Sequence, residues 1–149
     1  MEKGCHAYKS KRTNRTAPMF ENGGVAYVYL CYGIHSLFNI VTNKEGIAEA
    51  VLIRAIEPVY GIEEMLLRRP VPNPIGVGSG PGKLTKALNI TLNHNMANLD
   101  ERVIWLEDDF STEQEEIVAT TRIGIDYAGE DALLPWRFYI EGNPCISKK

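Results

Sequence analysis

Cysteine is scarce in this sequence, and its arrangement excludes two classes of small protein. The three cysteines, Cys5, Cys31 and Cys145, are odd in number, widely spaced and outside any Cys-x-x-Cys pair. This pattern argues against a disulfide framework and against a structural zinc site. Thiols without a disulfide framework are typical of a reducing compartment, so we expect a cytoplasmic protein.

Long apolar runs are also missing. No stretch approaches the roughly 18 apolar residues that predict a membrane-spanning helix. The opening residues, Met-Glu-Lys-Gly-Cys-His, contain no apolar core of a secretory signal. We therefore expect no membrane partner.

The familiar motifs of cofactor and metal chemistry do not occur. The sequence has no Walker loop, GxGxxG, HExxH, GxSxG or EF-hand pattern. Its three histidines, His6, His35 and His94, are too scattered to suggest a metal triad. We expect neither a metal nor a cofactor.

What the sequence does contain fits a single domain over residues 1–149. The chain has 149 residues, of which 44% are hydrophobic, 9% aromatic and 23% charged. That length suits one core, and the aromatic and hydrophobic content argues against wholesale disorder.

Charge is unevenly distributed, although the net charge of -3 does not indicate a nucleic-acid-binding protein. Residues 1–15 contain five lysines and arginines against one acid, and residues 100–116 contain eight acids against one arginine. A cationic face is one interpretation, and a solvated tail with a solvated loop is the other.

The order of predicted elements indicates the fold class. Strands are expected where β-branched and aromatic residues cluster between turn signals, at 25–30, 36–41, 50–56, 103–106, 117–125 and 136–140. Short helices are expected from about Gly61 and from residues 79–83. The class is mixed α/β (α+β), with a curved, mainly antiparallel sheet and a few short helices.

Two segments are candidates for nucleic-acid contact. Residues 76–83 are glycine-rich and end at Lys83, which suits either a phosphate site or a plain turn into a helix. Residues 27–39 crowd aromatic side chains around Gly33, just downstream of the basic residues 9–15. Basic residues beside stacking rings are typical of proteins that hold a phosphate backbone and stack bases, but ordinary core aromatics explain the rings as well.

Several blocks of the sequence, in order along the whole chain, are similar to the alkyladenine (3-methyladenine) DNA glycosylase family. The blocks are Cys5-His6-Ala7-Tyr8, Arg12-Thr13-Asn14-Arg15, Tyr27-Val28-Tyr29-Leu30-Cys31-Tyr32-Gly33-Ile34, Phe38-Asn39-Ile40-Val41, Val51–Pro58, Gly80-Pro81-Gly82-Lys83-Leu84, Arg122-Ile123-Gly124-Ile125 and Arg137-Phe138-Tyr139-Ile140. The resemblance implies base-excision repair: a damaged purine is rotated out of duplex DNA and its glycosidic bond is hydrolysed. It implies a monomer that uses no metal or cofactor, nucleoid-associated if the source is bacterial.

The resemblance also implies roles for the binding residues. Tyr32 would insert into the minor groove and fill the gap that the rotated base leaves. That base would stack on Tyr29 with His6 nearby, and a cationic alkylated purine would gain from cation–π contact. Asn39 would clash with the 2-amino group of guanine and so exclude it. Lys83, with Arg12 and Arg15, would contact phosphates.

The chemistry of the family uses a water molecule and a glutamate general base. By the resemblance, the Arg54 side chain and the main-chain carbonyl of Ile123 help to position that water. The glutamate belongs to a Glu-x-Glu-Ala-Tyr motif upstream of the histidine, and this motif does not occur here, where five residues precede His6. Glu2 matches a different acidic position, so we expect the chain to lack the family's N-terminal segment.

Three functions follow as alternatives. The first is a glycosylase that excises 3-methyladenine and hypoxanthine from duplex DNA. The second is a non-catalytic protein that binds damaged DNA, because the general base is absent from this chain. The third is a domain with no nucleic-acid role, in which the tyrosines are core residues.

Overall fold

The computed structural model describes residues 2–108 and 117–147. Three strands form an antiparallel sheet in sequence order: β1 (Ala26–Cys31), β2 (His35–Val41) and β3 (Ala50–Leu52). In the β1–β2 hairpin, Tyr27 lies opposite Asn39. Aromatic and β-branched residues favour these strands because their side chains pack well on a pleated, half-buried surface. The predicted series of three antiparallel strands is confirmed.

The third strand is shorter than the sequence suggested. After Leu52, the Ile53 amide still donates to the Phe38 carbonyl at 3.1 Å, but the Ile56 amide donates to the Gly78 carbonyl at 3.2 Å. A side chain on Gly78 would collide with Ile56. The chain therefore leaves the sheet after residue 53 to pack closely against the glycine-rich loop.

The β1–β2 turn has a specific backbone geometry. Tyr32 and Gly33 both have positive φ, 51° and 74°, and the Ile34 amide donates to the Cys31 carbonyl at 3.2 Å. Positive φ at both central positions gives a turn whose twist matches that of the flanking strands. The turn holds the Tyr32 side chain outside the sheet, where it is 92% exposed.

Both predicted helices are present, as α1 (Ile62–Arg68) and α2 (Pro81–Ala87). Helix α2 starts with Pro81, whose fixed φ suits the first turn. It packs on β2 through the buried Leu84, and the Thr85 hydroxyl donates to the Ser36 carbonyl at 2.7 Å. In the described ranges, no helix combines the length and apolar character needed to cross a bilayer.

The core lies on both faces of β1, because consecutive side chains of a strand point to opposite faces. On one face the N-terminal segment covers the sheet, with a buried cluster of Ala7, Met19, Phe20, Tyr27 and Val41. On the other face residues 90–99 contribute to a second cluster, which contains Ala26, Val28, Phe38, Ile90 and Leu99.

A second sheet is separate from the first. It pairs β4 (Ile117–Thr120) with β5 (Arg137–Ile140) in antiparallel register. The predicted α+β class with antiparallel strands and short helices is confirmed, and the strands are divided between these two sheets. The expected strand 117–125 ends early because the chain bends at Gly124, where φ is 75°, and enters a 3-10 segment, Asp126–Leu133.

The expected strand at 103–106 was also wrong. This segment forms only an isolated bridge between Asp100 and Trp105. The edge of β1 that it could have joined is taken by residues 95–99: the Ala26 amide donates to the Ala97 carbonyl at 2.8 Å. Half of the eight acids of the segment 100–116 fall at 109–116, outside the described residues.

Candidate nucleic-acid interface

Three rings form an aromatic cluster on one face of β1. Tyr27 and Tyr29 lie side by side with ring centroids 5.3 Å apart, as the alternation along a strand predicts. The His6 ring meets both nearly edge-on, at 4.5 Å from Tyr29 and 6.1 Å from Tyr27. Edge-to-face packing suits the charge distribution of aromatic rings. The N-terminal segment thus brings His6 to the strand that carries the two tyrosines.

A hydrogen bond fixes the position of the histidine. The Tyr27 hydroxyl, on a side chain only 2% exposed, lies 2.9 Å from His6 Nδ1. Burial lowers the pKa of His6 from its ordinary value, and the nearby charge of Arg15 lowers it further. Near pH 7 the ring is therefore a neutral hydrogen-bonding group.

Tyr29 is a neutral stacking surface. Burial raises its pKa to about 12, and Cys31 and Tyr27 add to the shift. The phenol therefore stays protonated throughout the physiological range. A half-buried, uncharged ring of this kind can stack on a planar base without losing a hydrated charge.

The two arginines of the basic segment take different positions. The Arg15 guanidinium lies over the Tyr29 ring, 4.9 Å from its centroid, with Nη2 3.4 Å from His6 Nε2. Arg12 lies over the Phe20 ring at 5.5 Å and pairs with Glu21 at 3.7 Å. Their assignment as phosphate contacts stays a prediction, and Arg15 is drawn into the aromatic cluster.

Asn39 lies beneath this cluster on the neighbouring strand. It is 7% exposed, and its amide Nδ2 donates to the Tyr27 carbonyl at 3.0 Å. A buried polar side chain that is held in this way cannot turn aside without breaking its hydrogen bond. The geometry suits a fixed group that tests the shape of a ligand, which is the role the resemblance gives to Asn39.

Tyr32 stands apart from the cluster, at the tip of the hairpin. Its ring is nearly fully exposed, and the neighbouring Ile34 is also exposed. An exposed apolar tip gains nothing in the free protein, so it indicates a contact surface. The position suits an inserted side chain, as predicted.

Arg54, the arginine expected to position water, lies half-buried near the cluster. Burial lowers its pKa, the charge of Arg137 adds to this, and Tyr29 acts in the opposite direction. It makes no hydrogen bond or ion pair with the described residues. A guanidinium stays charged under such conditions, so Arg54 offers desolvated donors to an anion or a polarised water.

The segment of Ile123, whose carbonyl was the other expected water ligand, is held by contacts of the two residues that precede it. Arg122 makes a charge-assisted hydrogen bond to the carboxylate of Glu2, with both side chains largely buried. The Arg137 Nε donates to the Thr121 carbonyl at 3.0 Å. These contacts hold the chain that leads into Ile123, and the Glu2 carboxylate is engaged by Arg122.

Lys83 lies at the start of α2, exposed, as the motif predicted. Its Nζ is 3.4 Å from the Ser79 hydroxyl. Gly82 lets the helix approach the hairpin, because a side chain there would press on His35. The exposed lysine is the residue next to this close approach, and its role as a phosphate contact stays a prediction.

Sequence reasoning missed two residues that organise this region. Tyr27 was included among the aromatics but not as the partner that fixes His6, and strand alternation was the available signal. Arg137 links the Ile123 segment with the surroundings of Arg54. No local pattern marks it, because its contacts come from other segments. Within residues 2–108 and 117–147, no group of three or more His, Cys, Asp or Glu side chains could hold a metal ion.

The lowered pKa of His6 makes a prediction about pH. The unfolded chain binds a proton at His6 near its ordinary pKa, whereas the folded chain binds it only at lower pH. The free energy of unfolding therefore decreases as pH falls below that ordinary pKa. We expect the urea midpoint of the wild type to drop more than that of His6→Gln between pH 7.5 and 5.5. An identical pH dependence in His6→Gln contradicts the assignment.

Comparison with known proteins gives first the class and then the family. The class is that of DNA glycosylases, hydrolases of N-glycosyl bonds that act on DNA. A family model described as methylpurine-DNA glycosylase matches residues 1–144, and the chain belongs to this family.

Curated relatives agree with this assignment. A protein of Alkaliphilus oremlandii is 48% identical over 160 residues, covering 100% of this chain and 77% of the relative. One of Clostridium tetani is 46% identical, with 100% and 77% covered, and one of Chlamydia felis is 45% identical, with 93% and 72% covered. Each is named as a proposed 3-methyladenine DNA glycosylase. The chain thus spans about three quarters of the length of these relatives.

Proposed function

We propose that this protein rotates a damaged purine out of duplex DNA and hydrolyses its N-glycosyl bond, with 3-methyladenine and hypoxanthine as the excised bases. The observation that carries the proposal is the aromatic cluster of His6, Tyr27 and Tyr29 above the fixed amide of Asn39. The exposed Tyr32 at the adjoining hairpin tip supports it, as do the names of the relatives. The protein acts as a monomer on cytoplasmic DNA.

DNA binding begins at the hairpin. Insertion of the Tyr32 ring between bases costs unstacking energy, which stacking on the ring offsets. A base with weakened pairing leaves the helix at a lower cost, so damaged purines are rotated out most readily. Exposed basic side chains, such as Lys83, attract the phosphate backbone.

The rotated purine then stacks on Tyr29, with His6 at its edge. A base with a positive charge gains further from the face of a neutral ring. Hydrolysis replaces the bond between the base nitrogen and C1′ by a bond from water oxygen to C1′, and the bonding electrons leave with the base. Arg54 and the carbonyl of Ile123 orient that water. By the resemblance, its proton goes to the glutamate of the Glu-x-Glu-Ala-Tyr motif, which does not occur in residues 1–149.

A second candidate function is binding of damaged DNA without excision. The observation that favours it is the engagement of Glu2, the acid that precedes His6, in the ion pair with Arg122. A carboxylate oxygen that already accepts a charge-assisted hydrogen bond from a guanidinium is not free to bind and deprotonate a water molecule. In that case the surface binds a lesion and releases no base.

One experiment separates the two functions. The protein purified from its source is incubated in excess with duplexes that contain 3-methyladenine, hypoxanthine or no lesion, and the released base is quantified in a single turnover. Release from both damaged duplexes and not from the undamaged duplex is expected. Salt-dependent binding of an abasic-analogue duplex without release supports the second function. If the protein neither releases a base nor binds the damaged duplexes preferentially, both functions are rejected.

Asn39→Ala tests the exclusion of guanine. Hypoxanthine and guanine differ by the 2-amino group alone, and forcing an unpaired polar group against a buried site costs about 1–3 kcal/mol. We expect the preference for a hypoxanthine·C over a guanine·C duplex to fall roughly tenfold in Asn39→Ala, measured as a ratio of dissociation constants. Asn98→Ala, an exposed asparagine, is the matched control. An unchanged ratio in Asn39→Ala removes the residue from this role.

A further inference from the structure

Two contacts join the first residues of the chain to the segment that carries Ile123. The Arg122 guanidinium makes a charge-assisted hydrogen bond to the Glu2 carboxylate, and the Lys3 amide donates to the Asp131 side chain at 2.7 Å. The two bonds span 120 and 128 positions of the sequence, so folding alone brings their ends together. The segment that leads into His6 is thus tied to the segment of the expected water ligand.

The side chain of Arg122 is the polar anchor of residues 122–124. In the described part of the chain, no backbone amide or carbonyl of these three residues makes a hydrogen bond. The nearest backbone hydrogen bonds on either side are those of the Thr121 and Ile125 carbonyls. The Ile123 carbonyl therefore has no donor among the described residues and can accept from a water molecule. Its position depends on how the Arg122 side chain is held.

The net contribution of the Glu2–Arg122 pair to stability is expected to be small. Both side chains are largely buried, and removing two charges from water costs about as much as their attraction contributes. The Nε–H of Arg122 is also buried and has no hydrogen-bond partner among the described residues, which lowers stability further. What the pair provides is orientation, because a planar guanidinium on a carboxylate and 5.5 Å from the centroid of the Trp136 ring is restrained in direction.

We propose that Arg122, held by Glu2, is a positioning residue that sets the Ile123 carbonyl for the hydrolytic step. The inference rests on the proposed function and adds two residues to it. The base pocket does not depend on this pair, since the Tyr27 hydroxyl fixes His6 at 2.9 Å. Loss of the pair should therefore leave base binding intact and slow hydrolysis, because a misplaced water ligand raises the energy of the transition state alone.

The test compares four variants, each made in the protein as its source produces it. Arg122→Met removes the guanidinium, Arg122→Lys keeps the charge, and the double variant Glu2→Leu/Arg122→Met replaces the pair by apolar groups. Arg68→Met is the matched control. Arg68 also pairs with a glutamate, Glu64 at 3.8 Å, and donates to the Ala87 carbonyl at 3.0 Å, but it lies on α1.

Three quantities are measured for each variant. A duplex with hypoxanthine on a 2′-fluoro sugar, which resists hydrolysis, gives the dissociation constant. The same duplex with an ordinary sugar gives the single-turnover rate constant of base release. Urea unfolding gives the midpoint and shows that each variant is folded under the conditions of the assay.

The expected result is a separation of rate from binding. In Arg122→Met the rate constant should fall about tenfold to hundredfold, with the dissociation constant within about threefold of the wild type. Arg122→Lys should lose less, because an ammonium still pairs with Glu2. The double variant should recover the urea midpoint, since no buried charge is left unpaired, but not the rate. Arg68→Met should keep the wild-type rate and affinity.

Two outcomes overturn the proposal while the proposed function stands. One is a wild-type rate in Arg122→Met. The other is a double variant whose rate recovers together with its stability, since Arg122 is then a structural residue only. If the wild type itself releases no base, the proposed function fails and the positioning role fails with it.

A measurement without DNA tests the anchor directly. NMR relaxation gives order parameters for backbone amides, and those of Ile123 and Gly124 should be lower in the double variant than in the wild type. The amide of the buried Ala7 should be unchanged, because the aromatic cluster is fixed independently. Equal order parameters at Ile123 and Gly124 in the two proteins mean that the pair does not hold this stretch, which overturns the inference whatever the protein releases.

Discussion

Tyr32→Ala is expected to weaken binding to an abasic-analogue duplex by roughly 5- to 150-fold, since stacking of a base on an aromatic side chain contributes about 1–3 kcal/mol. The ring is 92% exposed and packs against nothing in the free protein. The whole effect should therefore appear in binding, with the free energy of unfolding nearly unchanged. Fluorescence anisotropy and urea unfolding measure the two quantities.

Tyr60→Ala is the matched control for this substitution. Tyr60 is 86% exposed and lies in the loop before α1, outside the β1–β2 hairpin. The variant Tyr60→Ala loses the same kind of ring as Tyr32→Ala, and it should bind the duplex as the wild type does. Equal losses in Tyr60→Ala and Tyr32→Ala indicate a general effect of aromatic surface. Full affinity in Tyr32→Ala removes the residue from the inserting role.

Tyr27→Ala is expected to lower the free energy of unfolding by about 3–5 kcal/mol, the usual cost of removing a large buried aromatic side chain. Tyr27 is 2% exposed and packs with Met19, Phe20 and Val41 in the cluster that joins the N-terminal segment to the sheet. Small domains have about 5–15 kcal/mol in total, so this one change removes a large share of it. The urea midpoint measures the loss.

Tyr27→Phe separates packing from hydrogen bonding. It keeps the ring and loses only the hydroxyl that holds His6 Nδ1 at 2.9 Å, so we expect a cost of about 1 kcal/mol. Binding to lesion-containing duplexes should fall, because the His6 ring is then free to reorient. If Tyr27→Ala unfolds at the same urea concentration as Tyr27→Phe, the ring does not support the core as described.

The hairpin and its tyrosines were predictable from local sequence. Alternation along residues 26–31 places Tyr27 and Tyr29 on one face, and Gly33 marks the turn. Helices α1 and α2 were predictable for a similar reason, since proline and glycine limit where each helix can begin or end. These features depend on neighbours within a few residues along the chain.

Features that depend on distant segments were not predictable in the same way. Residues 103–106 have the composition of a strand, yet residues 95–99 already occupy the available edge of β1. Residues 117–121 are rich in β-branched side chains, but the chain bends at Gly124 and then enters a 3-10 segment. In both cases local preference was outweighed by hydrogen bonds and packing to other parts of the chain.

By itself, the sequence determined the α+β class, the exposed hairpin tip and the family, because these follow from local patterns and from blocks of residues in order. Only the tertiary structure decided that His6 is fixed by Tyr27, that Arg15 lies over Tyr29 and that Glu2 pairs with Arg122. Each of these contacts joins groups that are far apart in the sequence or on different elements and are brought together by folding. A pocket's charge depends on burial and on neighbours in space, which the linear order of residues does not specify.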